Sequence, residues 1–285
     1  MQNILKRPLW LNKKINLSGL SEMKSVLRDF NLHTVCEEAA CPNIGECFHQ
    51  GEVTFMILGD ICTRECKFCN VDSKIPQAID CNEPRRIAEA VRKLNLKHVV
   101  ITSVTRDDLE DGGADVFYQT ILTVRGSNKD VKIEVLIPDF KGDEQALGKV
   151  IEAKPDIIGH NVETVSRLYA EVRPQAYYKR SLRVLKAVKE FNSEIYTKSS
   201  LMLGLGEEES EVLAVLRDLR KVECDFLSLG QYLRPSLKHF SVKEYIAPDR
   251  FEYYKIQALD LGFSHVESAP YVRSSYHAAE YLTGM

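Results

Sequence analysis

Short apolar runs alternate with amphipathic segments along most of the chain, from about residue 53 to residue 265. The apolar runs predict six β-strands: VTFMIL (53–58), HVVITSV (98–104), KIEVLIP (132–138), DIIGHNV (156–162), EIYTKSSLML (194–203) and DFLSLGQYL (225–233). Because these runs are apolar at most positions, they are typical of a parallel sheet that is covered on both faces.

Amphipathic helical patterns separate the predicted strands. They lie at 83–96, 114–126, 143–153, 178–191, 210–220 and 249–262, and a short strand-like HVESA follows at 265–269. Six βα units in a row favour an α/β fold with right-handed crossovers. The periodicity leaves open whether the sheet is an open doubly wound sheet or a partly closed barrel.

The alternation of strands and helices does not extend to the two ends of the chain. We therefore predict an N-terminal extension over residues 1–52, an α/β body over 53–265 and a short C-terminal tail over 266–285. A chain of 285 residues is long enough for two domains, but one α/β barrel fits equally well.

Composition and charge narrow the class of protein. Charged residues make up 28% of the chain and apolar residues 44%, as in ordinary soluble globular proteins. The formal net charge of −3 gives no electrostatic basis for binding nucleic acid. No run reaches the ~20 apolar residues that cross a membrane, so we expect no membrane partner.

Eight cysteines are the unusual feature of the composition, because six of them fall between residues 36 and 69. Clustered cysteines indicate disulfides or a metal site. Disulfide scaffolds are usually small secreted chains, whereas this chain can form a large core and its first residues lack the apolar stretch of a signal peptide. We therefore expect a reduced, cytoplasmic protein with metal-binding thiolates, and we interpret Cys81 and Cys224 as incidental thiols.

The six clustered cysteines form two triplets with different spacing. One has the pattern C-x4-C-x5-C and the other C-x3-C-x2-C, and their members are Cys36, Cys41 and Cys47, then Cys62, Cys66 and Cys69. Structural zinc sites usually take four ligands as two close pairs, which does not match two triplets. Three thiolates suit a [4Fe–4S] cluster whose fourth iron is open or held by another group.

The second triplet, with Phe68 before its last cysteine, directly follows the first predicted strand of the body. This arrangement resembles the loop of the radical S-adenosylmethionine (SAM) superfamily. The resemblance implies a partial (β/α)6 TIM-type barrel of parallel strands. It also implies a [4Fe–4S] cluster on Cys62, Cys66 and Cys69 whose open iron binds SAM.

The first triplet, within EAACPNIGECF, resembles the lipoyl synthase family in particular. Other segments match that family's blocks in the same order: KRPLWLNKKI (6–15), VITSVTRDDLEDGGA (100–114), HNVETV (160–165), RPQAYYKRSL (173–182), TKSSLMLGLGE (197–207), LSLGQYLRPS (227–236) and RSSYHA (273–278). The resemblance implies a second [4Fe–4S] cluster on Cys36, Cys41 and Cys47. Its fourth ligand is a serine of the RSSY motif; we favour Ser275, with Ser274 as the alternative.

The resemblance also implies an activity, which is radical-mediated insertion of two sulfur atoms at C6 and C8 of a protein-bound octanoyl-lysine. The reaction uses two SAM molecules for each lipoyl group and sacrifices the auxiliary cluster. The implied partners are octanoylated lipoyl carrier domains, namely 2-oxoacid dehydrogenase E2 subunits and the glycine cleavage H protein, with ferredoxin or flavodoxin as reductant.

Residues expected to contact SAM follow from the same resemblance, and they are Phe68, Gly112, Gly113, Asn161, Glu163, Arg173, Lys198 and Gly204. The glycine pair corresponds to the superfamily turn that receives the methionine amino group. Asn161 and Glu163 leave the carboxyl end of a predicted strand, where α/β active sites form. Arg173 and Lys198 are candidates for the cofactor carboxylate or for substrate, and Gly204 for close approach to adenine.

Two other functions remain open at this point. The first is another radical SAM enzyme with an auxiliary cluster, similar to biotin synthase; the upstream cysteine triplet and the RSSY motif favour lipoyl synthase instead. The second is a non-catalytic protein that binds iron–sulfur or zinc for an interaction. Iron content and SAM cleavage on reduction distinguish that protein from an enzyme.

Overall fold

A computed structural model describes residues 5–12 and 20–282 of the chain. Residues 13–15 of the KRPLWLNKKI block and the last three residues of the predicted tail lie outside the described residues.

The described strands include all six that the sequence predicts. In chain order they are β1 His33–Thr34, β2 Thr54–Ile57, β3 Ile61–Cys62, β4 Asp72–Ser73, β5 His98–Ser103, β6 Lys132–Leu136, β7 Ile157–Gly159, β8 Tyr196–Leu203, β9 Phe226–Gln231 and β10 His265–Ser268. Eight of them form one sheet in the order β1-β2-β5-β6-β7-β8-β9-β10, and β3 pairs with β4 in a separate small sheet.

Parallel pairing runs without interruption from β2 to β10. The predicted partial barrel of parallel strands is therefore confirmed, and the short strand expected near residue 265 adds a seventh parallel strand. The strand β1 was not predicted. It pairs antiparallel with β2, so that Thr34 lies opposite Phe55 and the N-terminal extension is attached to the first edge of the barrel.

Helices lie between the strands, as the amphipathic segments predict. In chain order they are α1 Leu20–Asp29, α2 Val35–Glu38, α3 Ile44–His49, α4 Glu83–Lys93, α5 Ala114–Ser127, α6 Glu144–Glu152, α7 Tyr169–Val172, α8 Tyr178–Phe191, α9 Glu209–Lys221 and α10 Pro248–Asp260. Short 3₁₀ helices in the described ranges are Leu9–Leu11, Phe140–Gly142, Ser166–Leu168 and Ala278–Leu282. No helix in the described part of the chain is long and apolar enough to cross a membrane.

Two large apolar clusters hold the helices on the sheet. One joins the first half of the barrel, including Phe55, Ile101 and Val135, to the helices around it. The other joins the second half, including Leu201 and Leu229. Since most of these side chains are completely buried, burial of apolar area is the main term that stabilises the barrel.

The C-terminal tail crosses the barrel and contacts the N-terminal extension. Asn43 Nδ2 donates a 2.7 Å hydrogen bond to the carbonyl oxygen of Tyr271, and Tyr276 Oη donates to Glu46 Oε1 at 3.0 Å. Tyr281 is fully buried against Phe226 of β9. The described part of the tail therefore contacts the described part of the extension.

Candidate active site and metal centres

Cys62, Cys66 and Cys69, which we call the loop triplet, lie where the chain leaves the carboxyl end of β2. Cys62 belongs to β3, and the amide of Cys69 donates a 3.1 Å hydrogen bond to the carbonyl oxygen of Cys66. The loop is therefore a tight turn that presents its thiols at the edge of the sheet where α/β active sites form.

Arg64, inside the loop triplet, attaches the loop to the barrel. Its guanidinium donates to Asp107 at 2.7 Å and to Asp139 at 2.7 Å, and Asp139 is paired in turn with Arg180 at 2.7 Å. The paired arginines hold the pKa of the Asp139 carboxyl well below its usual range, against the opposing effect of burial. Sequence reasoning missed Arg64, although an arginine between two metal-ligand candidates is a usable signal.

Arg173, Asn161 and Glu163 gather beside the loop triplet. The Arg173 guanidinium donates to the carbonyl oxygen of Asn161 at 2.9 Å, and its charge lies close enough to Cys66 to oppose the rise that burial causes in the pKa of that thiol. Asn161 Nδ2 donates to Glu163 Oε1 at 3.0 Å. Burial raises the pKa of Glu163 despite the nearby arginine. These three predicted residues form one polar group with donors and acceptors for a charged ligand.

Gly112 and Gly113 form the turn before α5, and both adopt positive φ (60° and 90°). The amide of Gly113 donates to Asp111 Oδ1 at 2.9 Å, and the Gly112 amide donates to the carbonyl oxygen of Leu109 at 3.2 Å. A side chain at position 113 would overlap Leu58, the residue that follows β2. The turn therefore packs directly beneath the start of the loop triplet's segment.

Gly204 lies after β8 with φ +97°, but the space beside it is filled by the chain itself. A Cβ there would overlap Gln231 Nε2 and the carbonyl oxygen of Glu244, and the Gly204 amide donates to Glu207. Packing within the chain is therefore sufficient to require glycine at this position, and the expected approach of adenine stays a prediction.

Lys198 is 1% exposed, and its ammonium group is engaged inside the protein. Its Nζ donates to Glu134 Oε1 at 3.0 Å and lies 3.7 Å from the centre of the Tyr281 ring. A buried ammonium needs a carboxylate to offset its desolvation. In this structure the ammonium group of Lys198 interacts with Glu134 and with the Tyr281 ring, and its expected role in binding cofactor or substrate stays a prediction.

Phe68, the aromatic residue of the loop triplet's motif, is partly buried. It packs against the apolar cluster of the second half of the barrel. The structure therefore gives this side chain an anchoring role for the loop, and the expected contact with SAM stays a prediction.

Cys36, Cys41 and Cys47, which we call the extension triplet, line a cavity between the extension, the barrel and the tail. The cavity wall also includes Asn43, Glu52, Val53, Thr54, His98, Val100, Arg273, Ser275, Tyr276, Ala278 and Ala279. The helix α2 places Cys36 after the N-cap Thr34, whose hydroxyl accepts from the Glu37 amide at 3.3 Å. The short helix α2 carries Cys36, the short helix α3 carries Cys47, and the connection between them carries Cys41, so that the three thiols reach one wall.

The two serines of the RSSY motif lie in different surroundings. Ser275 lines the cavity of the extension triplet, and its Oγ accepts a 2.8 Å hydrogen bond from Thr54, 221 positions earlier in the chain. Ser274 instead donates to Asn161 Oδ1 at 3.0 Å. The geometry therefore brings Ser275, the favoured ligand, to the thiols and turns Ser274 toward the polar group beside the loop triplet.

Three residues of this cavity were missed by sequence reasoning. Arg273 lies on the wall near Cys41, and its Nη1 donates to the carbonyl oxygen of Val272 at 2.7 Å. Within the described residues, no carboxylate forms an ion pair with Arg273. Glu52 and Cys47 both line the cavity, where the Glu52 carboxyl contributes to the raised pKa of the Cys47 thiol, and Thr54 donates to Ser275. Glu52 and Thr54 have an ordinary sequence context, and only the tail's position next to β2 reveals them, whereas Arg273 belongs to the RSSY motif, in which only the serines were given a role.

The donor chemistry of both triplets fits a cationic metal cluster. Burial raises the pKa of Cys36 to about 12 and that of Cys69 to about 12, and neighbouring thiols of the same triplet add to each rise. A bound cluster would supply the positive charge that deprotonates coordinating thiols. Among the described residues, no three His, Cys, Asp or Glu side chains are grouped closely enough for a single metal ion.

Comparison with known families agrees with the loop geometry. The model of the Radical SAM superfamily matches residues 56–219. Curated proteins named lipoyl synthase are similar over nearly the whole chain. The protein of Caldicellulosiruptor saccharolyticus is 56% identical over 96% of this chain and 97% of its own length. That of Alkaliphilus metalliredigens is 56% identical over 98% and 97%.

Solved structures with low sequence identity share the fold. SuiB of Streptococcus suis bound to its precursor peptide superimposes with a TM-score of 0.61 at 12% identity, covering 98% of this chain and 60% of that one. Methylornithine synthase gives a TM-score of 0.56 at 13% identity, covering 88% and 82%. At these identities the likeness shows the fold alone.

Proposed function

This chain belongs to the lipoyl synthase family of the radical SAM superfamily, and we propose that it inserts two sulfur atoms, at C6 and C8, into an octanoyl group carried on a lysine. Superfamily membership brings a [4Fe–4S] cluster and SAM. Together they supply a deoxyadenosyl radical for unactivated C–H bonds, which acid–base side chains cannot attack. The remaining work of the protein is to bind, to position and to exclude water.

The loop triplet is the proposed ligand set for the cluster that works with SAM. Arg173 is suited to hold a carboxylate, because its guanidinium is buried against Tyr169 and backbone carbonyl oxygens and its Nε has no partner within the described residues. Glu163, whose Oε1 accepts from the side-chain amide of Asn161, offers a carboxyl group that can accept from an ammonium group. These residues would fix the methionine part of SAM next to the loop triplet.

The extension triplet and Ser275 are the proposed ligands of a second [4Fe–4S] cluster, which would be the source of sulfur. A serine oxygen is a weaker partner for iron than a thiolate. The combination of three thiolates and one serine therefore suits a cluster that has to be taken apart. The cavity that Ser275 shares with all three thiols supports this assignment.

Apolar residues beside the same cavity suit an acyl chain. Val53, Val100, Ala278 and Ala279 line its wall next to the thiols. Such a wall would exclude water and stray hydrogen donors. It would also hold the reacting carbon near the sulfur source. Holding two reacting groups in the correct geometry accelerates their reaction, because the loss of translational and rotational entropy is met on binding.

A lipoyl carrier protein is the partner that the family name implies. We propose octanoylated domains of 2-oxoacid dehydrogenase E2 subunits and the glycine cleavage H protein as substrates. Ferredoxin or flavodoxin is the proposed electron donor.

The single observation that carries the proposal is the presence of two cysteine triplets on one barrel. The loop triplet lies after the carboxyl end of β2, and the extension triplet faces the RSSY motif of the tail. The test uses reconstituted protein, an octanoyl-lysine peptide, SAM and a reductant, with the product read by mass spectrometry. We expect a product with two added sulfur atoms and no reaction with unmodified lysine peptide. Sulfur insertion into dethiobiotin with no change in the peptide would indicate a biotin-synthase-like enzyme and would contradict the proposal. SAM cleavage without sulfur insertion into either substrate would contradict it as well.

A further inference from the structure

Two adjacent serines of the tail contact the two candidate sites separately. Ser275 Oγ accepts from Thr54 at 2.8 Å on the wall of the extension-triplet cavity. Ser274 Oγ donates to Asn161 Oδ1 at 3.0 Å, beside the loop triplet. Since the two residues share a peptide bond, movement of one away from its site displaces the other.

The bond from Ser274 fixes the orientation of the Asn161 side chain. A side-chain amide has one donor end and one acceptor end. With Oδ1 taken by Ser274, Nδ2 is turned to Glu163 Oε1 at 3.0 Å, while Arg173 Nη1 donates to the main-chain oxygen of Asn161. Ser274 therefore orders the polar group that Asn161, Glu163 and Arg173 form.

The tail is anchored on both sides of the serine pair. Before it, Val272 crosses β9 at Gly230, where any Cβ would overlap the carbonyl oxygen of Val272. After it, Tyr281 is buried with its hydroxyl 2.7 Å from Ser228 Oγ. The serine pair is therefore held in a short, fixed segment, and both serine contacts form when this segment docks.

We propose that Ser274 is a positioning residue that couples the two sites: when Ser275 is held at the auxiliary cluster, Ser274 orders Asn161 and raises the affinity for SAM. This inference rests on the proposed function, which assigns SAM to the Asn161 side and the second cluster to the cavity. By linkage, bound SAM favours the docked tail to the same extent. Ser275 is therefore bound most tightly at the auxiliary cluster when SAM occupies the other site.

The test is a double-mutant cycle read as equilibrium affinity for SAM without reductant, so that no turnover occurs. We expect Ser275→Ala and Ser274→Ala each to weaken SAM binding about three- to tenfold, the range of one hydrogen bond. The double variant should bind SAM no more weakly than either single variant does, because both substitutions disrupt the same contact between Ser274 and Asn161. Additive losses, or unchanged affinity in Ser274→Ala, would overturn the proposal.

Two further variants separate coupling from general damage. Ser274→Thr keeps the hydroxyl and should restore the affinity. Ser268→Ala removes a hydroxyl that donates to the carbonyl oxygen of Phe251 at 2.7 Å, just before the tail, and should leave the affinity unchanged. If Ser268→Ala weakens SAM binding as much as Ser274→Ala does, the coupling is refuted. Iron content and unfolding midpoints of every variant establish that each is loaded and folded.

Product formation by the unsubstituted protein is measured in parallel with the octanoyl-lysine peptide. A sulfur-containing product together with additive serine effects would overturn the coupling and leave the proposed function standing. Failure to form the product would contradict the proposed function itself.

Discussion

The loop triplet and the extension triplet each place three thiols on a short stretch of chain, but they are built from different parts of the molecule. The loop triplet is supported by its near neighbours on the barrel edge, where Arg64 reaches Asp107 and Asp139. The extension triplet faces a cavity whose opposite wall comes from the C-terminal tail. The thiols of the loop triplet are therefore positioned by the barrel alone, whereas the thiols of the extension triplet face a wall that only the docked tail supplies.

The arginines beside the two triplets show the same contrast. Arg173 lies close to Cys66 and to the Glu163 carboxyl, so part of its charge is balanced by the protein. Arg273 faces Cys41, and no carboxylate pairs with it within the described residues. Arg273 therefore keeps a positive charge that no carboxylate of the described residues balances. This charge suits a cavity in which a cluster, together with three thiolates and a serine oxygen, would carry a net negative charge.

The largest effect that separates the two sites is expected for Tyr281→Ala. The substitution leaves a cavity where the ring is buried. It also removes the hydroxyl contact with Ser228 and the cation–π contact between Lys198 and the ring. We expect the free energy of unfolding to fall by about 3–5 kcal/mol in urea titrations. Iron should be lost from the extension triplet before the loop triplet. Tyr281→Phe, the matched control, should cost only about 1 kcal/mol; equal losses in the two variants would show that the ring does not anchor the tail.

A smaller effect concerns the barrel edge near the loop triplet and depends on pH. His160 is 2% exposed, and burial lowers its pKa to about 4, with Arg173 and Arg64 acting in the same direction and Asp139 opposing them. Its Nδ1 lies 2.9 Å from the carbonyl oxygen of Ile137. In the unfolded chain a histidine titrates near about 6.5.

Between about pH 6.5 and about pH 4, only the unfolded chain takes up this proton. The contribution of His160 to the free energy of unfolding is therefore complete above about pH 6.5. It decreases as the pH falls below that value, by at most about 1.4 kcal/mol per pH unit. We expect His160→Gln to lack this part of the slope in urea titrations at about pH 7, 6 and 5. Parallel slopes for both proteins would show that His160 titrates normally in the folded state.

Most of the fold was predictable, because strand and helix patterns are local. The six strands appear where apolar runs predict them, and the loop triplet's spacing is contained in eight consecutive residues, 62–69. The environment of Lys198 was not predictable, since it depends on Glu134, 64 positions away. The surroundings of Gly204 were not predictable either, because the side chain and backbone that fill the space of a Cβ there come from Gln231 and Glu244.

The tail illustrates both cases. The RSSY motif marked the two serines in the sequence but left open which of them faces the extension triplet. Their separation depends on how residues 270–282 cross the barrel, through contacts with Thr54 and Asn161 that no local pattern encodes.

The smallest effect is expected for the cysteines outside both triplets. Cys81 is exposed and precedes α4. Cys81→Ser should leave the free energy of unfolding within about 0.5 kcal/mol and should leave the iron content unchanged. A measurable loss of iron in this variant would mean that six thiols are not the whole cysteine ligand set.

The central claim is that the two triplets do different work, and single-turnover assays of Cys41→Ala and Cys66→Ala test it most directly. Both variants are reconstituted and given SAM, reductant and octanoyl-lysine peptide, and SAM cleavage and sulfur insertion are measured separately. We predict that Cys66→Ala abolishes both reactions, whereas Cys41→Ala continues to cleave SAM but forms no sulfur-containing peptide. Formation of the lipoyl peptide by Cys41→Ala, or loss of SAM cleavage in it at normal loading of the other cluster, would contradict this division.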